Sequence, residues 1–303
     1  MILLLVFLNS YAYDYHDWLN LPTMDRVVSI TTDEYSCFVA VTRGIYQIDR
    51  VGRKLVRTIT AADGIRGGVR AIGFDPIDRY LWILSDEGLL AINPFNNVAF
   101  PHALPDPDVN SLGLGNDYIY LARDNRYFRL GKRTGVFDTI APRGERVTWY
   151  GAKRAEKPTD YPFLTPFVFY DQYLEPHPIT VVFRDGRRLW VGTRGYGVLL
   201  YSMTTRMPMA HWRFGPISPQ VRTILEADGA IWFIGDQDIA RYSPIRDSWS
   251  VYPTPFNAFY FDGSVMLQSK VLELNRRENI MALLRDSSGA WLGTRNGLYY
   301  FDL

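Results

Sequence analysis

Ile280-Met-Ala-Leu-Leu-Arg-Asp286, Ser287-Ser288-Gly289, Ala290-Trp291-Leu292-Gly293-Thr294, Arg295-Asn296-Gly297 and Leu298-Tyr299-Tyr300-Phe301 read as three short apolar runs cut by turn residues. Aromatic and β-branched residues favour strands, while Asp, Asn, Ser and Gly punctuate tight turns. The same order returns from Ile179, with Asp185-Gly186, Leu189-Trp190-Val-Gly-Thr193, Arg194 and Val198-Leu-Leu-Tyr201. From Val221 it gives Asp228-Gly229, Ile231-Trp232-Phe-Ile-Gly235 and Ile239-Ala-Arg-Tyr242. Looser copies start at Val27 (Asp33, Phe38 to Thr42, Ile45 to Ile48), Val69 (Asp75, Leu81 to Ser85, Leu89 to Ile92) and Val109 (Asp117, Ile119 to Leu121, Tyr127 to Leu130), making six.

A fourth strand follows most copies: Lys54 to Ile59, Val98 to Phe100, Val136 to Ile140, Ala210 to Phe214 and Trp249 to Tyr252. Four antiparallel strands repeated about every 40 residues describe a propeller blade, a meander and not βαβ. The expected fold is therefore all-β: one β-propeller over 13–303, with about six four-stranded blades. The last copy ends after its third strand, and Tyr13 to Leu21 can complete it, closing the ring without an exposed edge. The connection Ala141 to Pro178 could hide a seventh blade.

Composition agrees with this. Tyr, Phe and Trp number 20, 17 and 8 among 303 residues, and nearly half the chain is hydrophobic. Lys plus Arg is 33 against 32 for Asp plus Glu, which argues against nucleic acid as a partner, since phosphate recognition needs a basic excess. One cysteine, Cys37, allows no intrachain disulfide. Met1 to Leu8 is an apolar run followed by Ser10-Tyr11-Ala12, so 1–12 reads as a secretory signal and the protein as periplasmic or extracellular. No Lys or Arg precedes that run, which a start placed too far downstream would explain; a buried first strand is the alternative. The run is too short to span a bilayer, and no other stretch is long enough.

The repeat V-x-x-I/L-x-x-D-x-x-G-x-h-W-h-G-T-x-x-G-L-x-x-Y/F resembles the two-component-regulator propeller repeat. The resemblance covers residues 27–303 and is strongest in the copies from Ile179, Val221 and Ile280. It implies a ligand-binding, sensor-type propeller of the kind found outside the cytoplasm. The chain has no kinase region and far fewer repeats than the full regulators, so phosphotransfer is not implied.

Blade geometry puts the turn between second and third strands on the same face as the blade-to-blade connections. Arg43, Asp86, Glu87, Asp124, Arg194, Tyr196, Asp236, Gln237, Arg295 and Asn296 fall there. The recurring pairs Thr42-Arg43, Thr193-Arg194 and Thr294-Arg295 read either as solvated turns or as a guanidinium ring for an acidic ligand. Two long connections, 141–178 and 253–279, emerge on that face and are rich in aromatics, from Trp149 and Tyr150 through Phe169 and from Phe256 to Phe261. Packing accounts for most of them; a few exposed ones would suffice for binding. Asp33, Asp75, Asp185, Asp228 and Asp286 read as turn caps, and Trp82, Trp190, Trp232 and Trp291 as inter-blade packing.

Chemistry is sparse. His16, His102, His177 and His211 lie in no metal-ligand spacing, and no nucleophile elbow, phosphate loop or dinucleotide fingerprint is present. No catalytic residue, metal or cofactor is expected. The expected function is recognition of a small molecule, glycan or protein by an exported monomer with no membrane span. Its expected ligand-binding residues are Arg43, Arg194, Arg295, Tyr196, Asp86, Asp124, Gln237 and His177. The alternatives are a propeller lyase or hydrolase acting on a carbohydrate or anionic polymer, and a scaffold in a secreted surface complex.

Overall fold

The computed structural model describes residues 23–302 apart from 143, 155, 171–175, 216–220, 228, 236–237, 247, 254–257, 262–263, 268–279, 286–288 and 295–296. The first sheet is β1 (Val27–Thr32), β2 (Ser36–Val41), β3 (Gly44–Asp49) and β4 (Leu55–Ile59); the second is β5 (Val69–Asp75), β6 (Tyr80–Ser85), β7 (Leu89–Ile92) and β8 (Ala99–His102). The third holds β9 (Ser111–Leu114), β10 (Tyr118–Arg123), β11 (Arg126–Gly131), β12 (Phe137–Asp138) and β13 (Thr148–Gly151). The fourth holds β14 (Val168–Tyr170), β15 (Pro176–Asp185), β16 (Arg188–Thr193), β17 (Val198–Ser202) and β18 (Pro208–Trp212). The fifth is β19 (Val221–Ala227), β20 (Ala230–Gly235), β21 (Asp238–Ser243) and β22 (Ser248–Pro253). A hairpin, β23 (Ala258–Phe261) and β24 (Ser264–Leu267), precedes the sixth sheet of β25 (Ile280–Arg285), β26 (Gly289–Thr294) and β27 (Gly297–Asp302).

Every strand pair is antiparallel, and each expected fourth strand is present within a residue or two of its expected place. The chain is thus all-β, built from repeated antiparallel sheets. Tyr13 to Leu21, and with them the ring-closing strand and the signal 1–12, lie outside the described residues.

Sheets pack face to face, so the middle strands are buried on both sides. Along β2, Cys37, Val39 and Val41 join Trp190, Leu200 and Trp212 of sheet four, while Phe38 and Ala40 join Phe74 and Ile83 of sheet two. That is the two-residue period of a strand serving two cores. Burying each such large side chain contributes about 2 kcal/mol. Trp82 packs between sheets two and three, and Trp190 between sheets one and four. Among the innermost strands β1, β5, β9 and β15, β1 lies against both β5 and β15, and β5 against β9. Sheet four therefore neighbours sheet one. Trp212 Nε1 donates to the Arg53 carbonyl at 2.9 Å, and Arg50 pairs with Asp185 across the same seam.

The connection 141–178 is more ordered than a loop. Its first strand, β13, pairs with the inner edge of β9 and lies against β5 and β1; its second, β14, pairs with β15. These strands extend sheets three and four and form no further sheet. Tyr161 and Leu164 then cover Val182, Val191 and Leu199, so most of the segment's aromatics are packing residues, as expected.

Candidate ligand-binding site

The turn face is assembled as strand order requires. Val69 N–H donates to the Thr42 carbonyl at 2.9 Å, so the β2–β3 turn meets the link into β5; Asp86 N–H reaches the Gly68 carbonyl at 2.9 Å, and Arg194 N–H the Pro178 carbonyl at 2.9 Å. Arg43 and Arg194 are exposed on this face. Gln237 and Arg295, with Asp236 and Asn296, lie outside the described residues.

The acids differ in their engagement. Asp86 clamps two links: Oδ2 accepts from Gly68 N–H at 2.8 Å, and Oδ1 accepts from Arg70 Nε at 2.7 Å. Arg70 continues to the Pro107 and Val109 carbonyls at 2.6 and 2.7 Å. The hydrogen bond from Arg70 holds the Asp86 carboxyl below the usual carboxylate range, against a smaller opposing effect of burial. Asp124 is exposed at a left-handed turn position (φ 49°), with its carboxylate 3.9 Å from Arg123 Nε.

Tyr196 is the centre of a stack. His211 lies flat on its ring, with centroids 4.1 Å apart and planes at 6°. Phe169 and His177 stack at 4.8 Å each, and the Arg213 guanidinium stands 5.5 Å from the ring centre. A carbonyl can only accept, so His211 Nε2 donates to the Tyr196 carbonyl at 2.6 Å and His177 Nδ1 to the Arg194 carbonyl at 3.3 Å. Desolvation by this packing, then repulsion from Arg213 and His177, pushes the His211 pKa down against the opposing hydrogen bond to Tyr196. Its edge still meets solvent. Such a platform, flat and aromatic beside a cation, suits stacking with a planar or apolar ligand face.

Of the expected residues, the structure brings together Tyr196, His177 and the Arg194 backbone; Asp86 and Asp124 sit on other sheets. The expected set lacks His211 and Arg213, and it holds Phe169 only among the aromatics of the connection 141–178. Hairpin register could have found two of them, because Val198 pairs with Trp212, so 211 and 213 must return to the turn that holds 196.

Two cavities flank β13, and Tyr150 of that strand walls both. One, about 700 Å³, opens on the opposite face, where Asp33, Tyr35, Ile77 and Phe95 ring it. The other, about 390 Å³, lies between β1, β13 and β15. Among the described residues no cluster of three or more His, Cys, Asp or Glu could hold a metal, and no helix is long and apolar enough to cross a membrane.

No protein-family profile and no curated protein matches the chain. Among solved structures it is similar to the extracellular domain of a putative hybrid two component system, BT3049, from B. thetaiotaomicron, at 15% identity over 91% of this chain and 40% of that one, TM-score 0.31. PorZ, a surface component of the type-IX secretion system of Porphyromonas gingivalis, is similar at 10% identity over 94% and 59%, TM-score 0.37. BamB from Moraxella catarrhalis is similar at 8% over 90% and 83%, TM-score 0.30. The chain spans about two fifths of the sensor domain's length.

Proposed function

We propose that this chain is an exported recognition module of propeller type that binds its ligand on the turn face without transforming it. The Tyr196 stack carries the reading: two histidines, a phenylalanine and an arginine from three chain segments gather on one turn tyrosine. Hydrophobic packing alone does not require a cation and two imidazoles at a surface turn. Arg43 and Arg194, with Arg295 and Gln237, complete the proposed face, and Asp86 and Asp124 border it. The module acts as a monomer in the periplasm or outside the cell, after loss of 1–12, and takes a small molecule, glycan or protein.

The architecture proposed with it has six blades, the sixth completed by Tyr13 to Leu21. A ring in chain order would set sheet six beside sheet one, where sheet four packs in the present arrangement, and the energetic coupling between Val27 and Gly192 distinguishes the two. A scaffold role is the second reading, supported by Tyr35, Ile77 and Phe95, which are 60%, 63% and 57% exposed around the opposite cavity.

The test is an array of glycans and peptides probed with the mature chain and with Tyr196→Ala. Selective capture that Tyr196→Ala loses, with an unchanged thermal melt, supports the reading. Capture that survives Tyr196→Ala and Arg194→Ala but fails in Phe95→Ala moves function to the opposite face.

A further inference from the structure

Among the described residues, three arginines and one carboxylate line the smaller cavity, and no ion pair joins them. Arg154 is half-buried at its wall, where one terminal nitrogen donates to the Thr180 carbonyl at 3.2 Å. Its Nε is buried and makes no hydrogen bond, and among the described residues no carboxylate lies within ion-pair distance. Burial holds its pKa below the ordinary guanidinium value, and repulsion from Arg26 adds to that. Arg146 and Arg184 line the same cavity and, among the described residues, make no ion pair. The acid among the described lining residues, Glu156, accepts from the backbone N–H of Arg184 at 2.8 Å.

The remaining wall is apolar: Val28, Ile30, Val181, Phe183 and Tyr150 among others. Phe183 and Tyr150 lie nearly parallel, at 17°, with centroids 6.5 Å apart. At about 390 Å³ the space falls at the small end of small-molecule sites.

We propose that this cavity binds a small organic oxyanion, a carboxylate or phosphate ester on a flat apolar body, with Arg154 as its forked anchor. A guanidinium offers an oxyanion a planar set of N–H donors, and Arg154 keeps donors beyond the one that the Thr180 carbonyl takes. Arg146 and Arg184 add charge that draws the anion in, and the Phe183–Tyr150 wall takes the apolar body. This site is separate from the Tyr196 stack.

The probes are benzoate and phenyl phosphate, with phenol as the neutral counterpart, titrated calorimetrically into the full chain. At least one anion should bind about tenfold or more tighter than phenol, and its affinity should fall as salt rises. Benzoate alone binding names a carboxylate; phenyl phosphate alone names a phosphate ester. Arg154→Gln should weaken the anion about tenfold or more, Arg154→Lys should restore part of it, and Arg246→Gln, which removes an exposed cation of another sheet, should change nothing. In the wild-type chain the bound anion should also protect Arg154 from phenylglyoxal, read by peptide mass spectrometry, which needs no variant to fold. Phenol binding as tightly as the anions, no binding of either anion at millimolar concentration, or unchanged Arg154 labelling would overturn the proposal.

Discussion

Tyr150 fills the place a side chain at Gly73 would take: a Cβ there would stand 2.6 Å from Tyr150 Cε2. The same ring meets Leu114 in sheet three, receives a hydrogen bond from Thr31 of sheet one at 3.3 Å and stacks on Phe183 of sheet four. One side chain from the 141–178 segment thus touches the inner strands of four sheets.

Gly73→Ala should therefore destabilise the protein by about 1–3 kcal/mol through overpacking. Tyr150→Ala should cost about 3 kcal/mol through the cavity it leaves. The double variant should cost clearly less than the sum, because alanine at 73 meets no ring once Tyr150 is gone. Urea denaturation of the four proteins checks this, and strict additivity would remove β13 from its place against β5.

A second prediction concerns the seam between sheets two and three. Lys132 Nζ lies 2.5 Å from Asp75 Oδ2, and their side chains are 6% and 3% exposed. Lys132 also donates to the Asn116 carbonyl at 2.8 Å. Removing one partner leaves a buried charge, so Lys132→Met should cost about 3–5 kcal/mol. Asp75→Asn with Lys132→Met should recover part of that loss. Equal losses in both variants, measured as shifts in the urea midpoint, would mean the pair is not closed in solution.

What was legible in the sequence follows from what repeats. The strand order, the fourth strands and the packing of Trp82 and Trp190 recur once per unit, so each copy supports the others. Asp33 and Asp75 cap their turns as expected, through Tyr35 N–H at 2.7 Å and Ile77 N–H at 3.0 Å. Asp185 occupies the same repeat position and instead pairs with Arg50 of sheet one. That difference is invisible locally, because it depends on which sheet lies beyond the turn. The same limit hid β13: Thr148–Gly151 belongs to no repeat, and only the open inner edge of β9 gives it a partner. Tyr196 was readable from its turn position and His177 from its place closing the connection 141–178, whereas Arg154 and Phe183 gain their meaning from a cavity that no single segment encodes.

Cys37 lies fully buried between sheets one and four, and burial pushes its thiol pKa well above the ordinary value, with weaker effects of nearby charges. Thiolate is the reactive form, so the native thiol should resist disulfide reagents. Labelling should proceed only at the rate of opening and rise in step with urea unfolding. Rapid native-state labelling would show the seam between these two sheets to be open.

Acid should weaken the fold through two histidines. Desolvation lowers the pKa of His102, stacked on Trp82 at 5.7 Å, and of His211. A folded-state pKa below the unfolded value near 6.5 means that the unfolded chain binds the proton first. The stability these groups confer is present above about pH 6.5 and is lost as pH falls from there through the folded pKa values. Thermal melts between about pH 7 and pH 5 should show the decline, and His102→Gln with His211→Gln should flatten it. An unchanged slope in the double variant would assign the acid sensitivity to carboxylates.

The arrangement of sheets has its own test at Gly192 and Val27. A Cβ on Gly192 would stand 2.5 Å from Val27 Cγ1 and 2.6 Å from Val181 Cγ1, so β16 passes β1 with no room for a side chain. Gly192→Ala should cost about 1–3 kcal/mol by overpacking, and Val27→Ala about 2 kcal/mol by lost burial. If sheet four lies on sheet one, the smaller residue at 27 makes space for the new methyl, and the pair should show a coupling of about 1 kcal/mol. A ring of six in chain order separates the two residues, and residues without contact do not couple. Additive losses would therefore place sheet six beside sheet one, with Tyr13 to Leu21 closing the ring. Coupling would fix sheet four there and require the fifth and sixth sheets to pack elsewhere than in a ring of chain order.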